Sequence, residues 1–271
     1  MELQENIFAK NQQRICSEVA QQPSKQKGEQ GGVKILRHIA NRLKKHFPPR
    51  GVEEKEISFT DTLVAIILSQ NTNDRNSHRA YEALRISWPR WEEVAEADPA
   101  DVAATIRVGG LAEQKTATIQ NTLRAFHEEW NEFEPAALEE LPDDALLDFL
   151  TRIKGVGLKS ASCAMMFALD RDLCAVDTHL HRVLNRLGVV QASTPDKTFR
   201  ELRPLVPPGR ARELHVSLIR FGRDICKARF PHCFECPLYD LCQWNQKEEF
   251  AAAQKRGPKP VSGDFLITDG L

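Results

Sequence analysis

At 271 residues the chain exceeds the usual size of one domain and can bury a sizeable core, which predicts two domains or one domain carrying a large insertion. Its 41% apolar and 28% charged residues are ordinary for a soluble globular protein. The strongest apolar runs, Leu63 to Leu68 and Cys163 to Leu169, fall far below the roughly 18 residues of a membrane span, and the first residues lack the basic-then-apolar order of a secretory signal. No membrane partner is expected, and the protein is read as intracellular.

A formal net charge of -1 argues at first against a polyanionic partner, but the charge is unevenly placed. Residues 1–52 carry 10 Lys/Arg against 4 Asp/Glu, residues 53–149 carry 8 against 21, and residues 150–247 carry 16 against 9. An acidic block between two basic ones is the footprint of a protein that turns one basic face to nucleic acid, or of solvated helix faces that happen to cluster.

Residues 1–32, rich in Gln, Lys, Glu and Ser, lack apolar periodicity and predict a flexible extension. Val33, Leu36, Ala40, Leu43 and Phe47 recur at helical spacing until Pro48-Pro49 ends the pattern. Residues 58–70 read as a buried helix. Further helices are expected at 74–87, 91–97, 100–107, 112–130, 143–153, 157–169, 178–187, 195–204 and 209–223, with Asp74, Asp143 and Asp177 as candidate caps. Strict alternation is nearly absent, so the fold class is all-α, with ten or more short helices. Residues 248–271 read as a loosely held tail.

Two clusters carry chemistry. Cys226, Cys233, Cys236 and Cys242 are separated by six, two and five residues. Cytosolic thiols packed this closely are metal ligands more often than disulfides. Zinc, an iron-sulfur cluster and unligated packing are all open, and one compact loop with a single C-x-x-C pair favours a cluster over a zinc ribbon. Cys16 reads as a free thiol, Cys163 and Cys174 as packing residues. Lys227 and Arg229 inside the loop, and Arg220 and Arg223 before it, are solvated charges or phosphate contacts.

The second cluster is "IKGVGLKSASCAMMFA". Gly155 and Gly157 permit a tight turn between two helices, and the amides of Gly155, Val156 and Gly157 beside a helix N-terminus suit a DNA phosphate. Taken alone the turn reads as a plain helix connection. Lys159 falls in the first turn, where the helix dipole makes a cation unwelcome.

The cysteine spacing, together with "IKGVGLKSASCAMMFALDRDLCAVDTHLHRVLNR" and weaker matches at "LSQNTND" and "GGLAEQKTA", resembles the endonuclease III family of DNA glycosylases over about Val33 to Gln246. The resemblance implies a helical-barrel domain with the helix-hairpin-helix (53–171), inserted into a cluster domain (33–52 plus 172–247). It implies a 4Fe-4S cofactor on the four cysteines, damaged double-stranded DNA as partner, a monomer, and in a bacterium a cytoplasmic enzyme at the nucleoid.

The implied activity is glycosylase and AP lyase on oxidised or ring-saturated pyrimidines. Lys159 matches the Schiff-base lysine and Asp177 the essential aspartate. A lysine attacks only as the neutral amine, and helix N-termini and desolvation favour that form. Asp177 can equally be an ordinary N-cap. By the same resemblance, Gln70 or Asn71 fills the gap left by the flipped base and Leu111 is an apolar wedge. His179 and His181 read as structural. Lys154 stands where the family commonly has proline, Leu158 where it has a basic residue, and Gly109 where relatives are bulkier. The alternatives are a mismatch-specific thymine or uracil glycosylase and a non-catalytic DNA-binding module.

Overall fold

The computed structural model describes residues 23–48 and 57–255. Cys16, the start of the extension and the end of the tail lie outside these residues. Twelve α-helices and four short 3-10 turns make up the described chain, and no strand occurs among the described residues.

Helix α1 (Pro23–His46) starts well before Val33, so the residues just ahead of the apolar pattern are already helical. Gly32 lies where a Cβ would stand 2.7 Å from Leu205, and this close approach places that part of α1 against the 3-10 turn Arg203–Leu205. Leu36, Ile39, Ala40 and Leu43 are its buried stripe. Helix α2 (Phe59–Ser69) is apolar nearly all round and buried over nine of its residues, as a helix surrounded by others must be. Ser58 caps it, accepting from Asp61 N at 3.1 Å.

Helices α3 (Asp74–Ser87), α4 (Trp91–Glu96), α5 (Pro99–Ile106), α6 (Ala112–Trp130), α7 (Asp143–Arg152) and α8 (Leu158–Ala168) follow, with 3-10 turns at Arg107–Gly109 and Ala136–Glu140. Here α2 packs on α3, α6 and α8, α3 on α5, α4 and α5 on α6, and α7 on α8. The cap of α3 is Asn73, which accepts from Asn76 N, rather than Asp74; both residues can cap, and only the backbone path selects one. Asp143 is likewise not a cap. Pro142 holds that position without a side-chain bond, and Asp143 faces Arg171 and Arg203 instead.

The remaining helices are α9 (Thr178–Leu187), α10 (Pro195–Leu202) and α11 (Ala211–Asp224), then α12 (Lys247–Lys255) after the 3-10 turn Cys233–Glu235. Helix α11 packs on α1, α8 and α9. The tail therefore begins as a helix rather than a loose segment. Its Glu-Glu start and alanine run suit a helix, and Gln254 bridges Phe234 N and Pro231 O at 3.0 and 2.7 Å.

Candidate active site and nucleic-acid interface

Helix α7 closes at Ile153, and Val156 N donates to Ile153 O at 3.0 Å to make the turn. Gly155 sits at φ 99, with a would-be Cβ 2.1 Å from Thr118 Oγ1, so neither its backbone nor its surroundings admit a side chain. Val156 is buried as the anchor of the hairpin. Gly157 starts α8 with open space where a Cβ would be, no side-chain cap and no acidic residue in the first turn. Its first amides are therefore left for an anion.

Lys159, the second residue of α8, is exposed. One turn on, the Cys163 thiol is buried, 4.0 Å from Nε2 of the equally buried His215, whose Nδ1 lies 2.8 Å from Ala175 O. Burial would push this thiol up, but the charges of His215 and Lys159 and hydrogen bonds to both bring it below the ordinary thiol value. Burial pushes Cys174 up, assisted by Cys163 and by Asp177. Asp177 caps α9, its Oδ1 accepting from Leu180 N at 2.8 Å. Burial lowers His179, against the opposing pull of Asp177. His181 meets Thr198 Oγ1 at 2.7 Å.

Gln70 and Asn71 separate in role. Gln70 Nε2 donates to Ser160 Oγ at 3.0 Å, which ties the end of α2 to the residue after Lys159. Asn71 is exposed and left-handed at φ 52, and Leu111 is 49% exposed and left-handed at φ 50. Arg220 is engaged in packing, with Nη1 on Pro48 O at 3.0 Å and its guanidinium over Phe47.

All four cysteines of the loop line one pocket, with Arg186, Tyr239, Trp244 and Lys247 around them. No disulfide joins them. Burial pushes Cys233 up to about 11 and Cys236 up to about 12. Two arginines that the sequence reading did not single out hold this loop from α9. Arg182 donates to Cys226 O and Gly222 O at 3.0 and 2.8 Å, and Arg186 to Lys227 O at 2.8 Å. Their spacing of four residues along one helix face was the available signal. Lys227 is half-buried and Arg229 exposed beside them.

Residues 64–208 match the HhH-GPD superfamily base excision DNA repair protein model. Endonuclease III of Thermotoga maritima is 32% identical over 213 residues, covering 79% of this chain and 94% of that protein. The chain belongs to the endonuclease III family. Among solved structures, a non-covalent endonuclease III-DNA complex matches with a TM-score of 0.66 at 26% identity, covering 83% of this chain and 99% of the other. A trapped endonuclease III-DNA covalent intermediate matches at 0.66 and 27%, covering 80% and 98%. This family member is an all-α DNA glycosylase and AP lyase of base excision repair. Among the described residues no helix is long and apolar enough to cross a membrane.

Proposed function

We propose that the chain removes oxidised or ring-saturated pyrimidines from damaged duplex DNA as a monomer inside the cell, at the nucleoid in a bacterium, and nicks the strand through a Schiff base on Lys159. The observation that carries this reading is the exposed Lys159 at an uncapped helix start directly after the Gly155–Gly157 turn, with the Asp177 carboxylate at the start of the next helix. The turn amides would hold a phosphate beside the target nucleotide, and Lys227 and Arg229 would hold others. The target base would be flipped out of the stack, with Leu111 as wedge and Asn71 or Gln70 in the vacated space. Neutral Lys159 would attack the anomeric carbon as the base departs, while the Asp177 carboxylate stabilises the positive charge developing on the sugar. The imine formed with the opened sugar would acidify the neighbouring C2′ proton, and its loss would expel the 3′ phosphate by β-elimination.

Packing supports a division in which 53–171 forms a helical barrel and 33–52 plus 172–247 a second domain. Helices α2 to α8 pack on one another, while α1 packs on α11 and the turn at Arg203–Leu205. DNA would lie between the two.

The four thiols around one cavity suit a 4Fe-4S group, which Cys226, Cys233, Cys236 and Cys242 would hold. Thiolate donors suit zinc or an iron-sulfur cluster, and one compact loop with a single C-x-x-C pair favours the cluster. Bound there, the cluster would cross-link the loop that Arg182 and Arg186 hold by its carbonyls. Iron, sulfide and zinc measured in anaerobically purified protein decide this, and zinc without iron overturns it.

Borohydride reduction on a panel of lesion duplexes, with mismatched thymine and uracil included, tests the function. Wild type is expected to trap as a covalent adduct and Lys159→Ala to lose it. No adduct from wild type would leave a DNA-binding module without lyase chemistry, and preference for the mismatches would replace the substrate class.

A further inference from the structure

Lys115, in α6, is 2% exposed, yet it faces no carboxylate in its hydrogen bonds. Its Nζ donates to Leu68 O at 2.7 Å and to Gly109 O at 2.9 Å. Leu68 lies in the last turn of α2, where carbonyls have no partner within the helix and a cation is favoured by the dipole. Gly109 ends the 3-10 turn ahead of Leu111. Burial lowers the proton affinity of this amine, so its charge is held against desolvation by these carbonyls.

The two carbonyls belong to the two segments that lead into Asn71 and Leu111. Both of those residues hold left-handed backbones, which Asn adopts readily but which a leucine keeps only where its surroundings over-determine it. Gly109 packs tightly on α3: a Cβ there would stand 3.2 Å from Ala80 Cβ, with Lys115 Nζ at 3.8 Å. Gln70 continues the same path to Ser160, beside Lys159.

We propose that Lys115 is a positioning residue that locks the Asn71 segment and the Leu111 segment into one rigid gap-filling element. A single buried ammonium shared by two loop carbonyls fixes their separation, so that wedge and filler enter the duplex together. This inference rests on the gap-filling roles proposed above for Asn71 and Leu111.

The test compares dissociation constants for an undamaged duplex and for the same duplex with a tetrahydrofuran abasic analogue, using the full chain. Removing the shared donor leaves two buried acceptors unsatisfied, so Lys115→Met is expected to lower the abasic-over-undamaged affinity ratio at least about tenfold. Fluorescence of 2-aminopurine opposite the abasic site should lose its binding-dependent rise in the same variant. Lys115→Gln keeps a donor for one carbonyl; it should give a smaller loss and serves where Met does not fold. A lysine that merely stabilised the fold would lower both affinities together, and an unchanged ratio overturns the inference. Leu111→Ala separates the two levels. If it leaves the ratio intact, the gap-filling reading fails; if it lowers the ratio while Lys115→Met does not, only the role of Lys115 fails.

Discussion

Replacing Asp177 by Asn and by Ala separates its capping of α9 from the charge stabilisation proposed for it. Its Oδ1 accepts from Leu180 N at 2.8 Å and so satisfies one of the open amides of α9. Asn offers the same acceptor and caps as well as Asp, so its stability should stay within about 0.5 kcal/mol of wild type. Ala loses the bond and should cost about 1 kcal/mol, within a range of about 0.5–2. For a chain of this size that corresponds to a melting shift of roughly 2–4 °C per kcal/mol. Chemistry should not follow that order. Both variants lack the charge, and losing one preorganised electrostatic contact costs about 10²- to 10³-fold, so both should lose base release by a similar large factor. The assay is single-turnover base release from a lesion duplex, paired with urea and thermal melts. If Asn keeps the wild-type rate, Asp177 is a cap alone; if Ala melts with wild type, the cap is energetically idle.

Gly155→Ala should cost more than about 2 kcal/mol by urea melt, because φ 99 and the Thr118 contact at 2.1 Å both oppose a Cβ. Gly157→Ala meets open space and should cost under about 1 kcal/mol, its loss appearing in duplex affinity instead. His179 gives a pH signature. Burial holds its folded value below the ordinary 6.5, so the unfolded chain takes up the proton first as pH falls. Its contribution to stability is present above 6.5 and lost as pH falls through the lower folded value; urea midpoints of wild type should therefore drop over that window more than those of His179→Gln.

Helix positions and the chemistry-bearing spacings were legible because they are short-range properties of the chain. Apolar periodicity placed 74–87, 112–130 and 178–187 as they occur, and the fine boundaries elsewhere moved by a residue or a few. The glycine turn and the four cysteines stood out by local spacing, and resemblance to the family singled out Lys159 and Asp177. The start of α1 and the helix α12 were missed because neither carries sustained apolar periodicity; tertiary contacts with Leu205 at Gly32 and with the cysteine loop at Gln254 accompany them.

What the sequence by itself determined is the all-α class, the hairpin and the residue types of the chemistry. What only the tertiary structure decided is which side chains meet across distance. Ninety residues separate Gln70 from Ser160, and forty-seven separate Lys115 from Leu68. Nothing in a local window marks a lysine in a polar-looking motif as buried, since it is the packing of α6 on α2 that removes it from water and leaves two carbonyls as its recorded hydrogen-bond partners. The same holds for Arg182 and Arg186, whose carbonyl partners come from a loop about forty residues away.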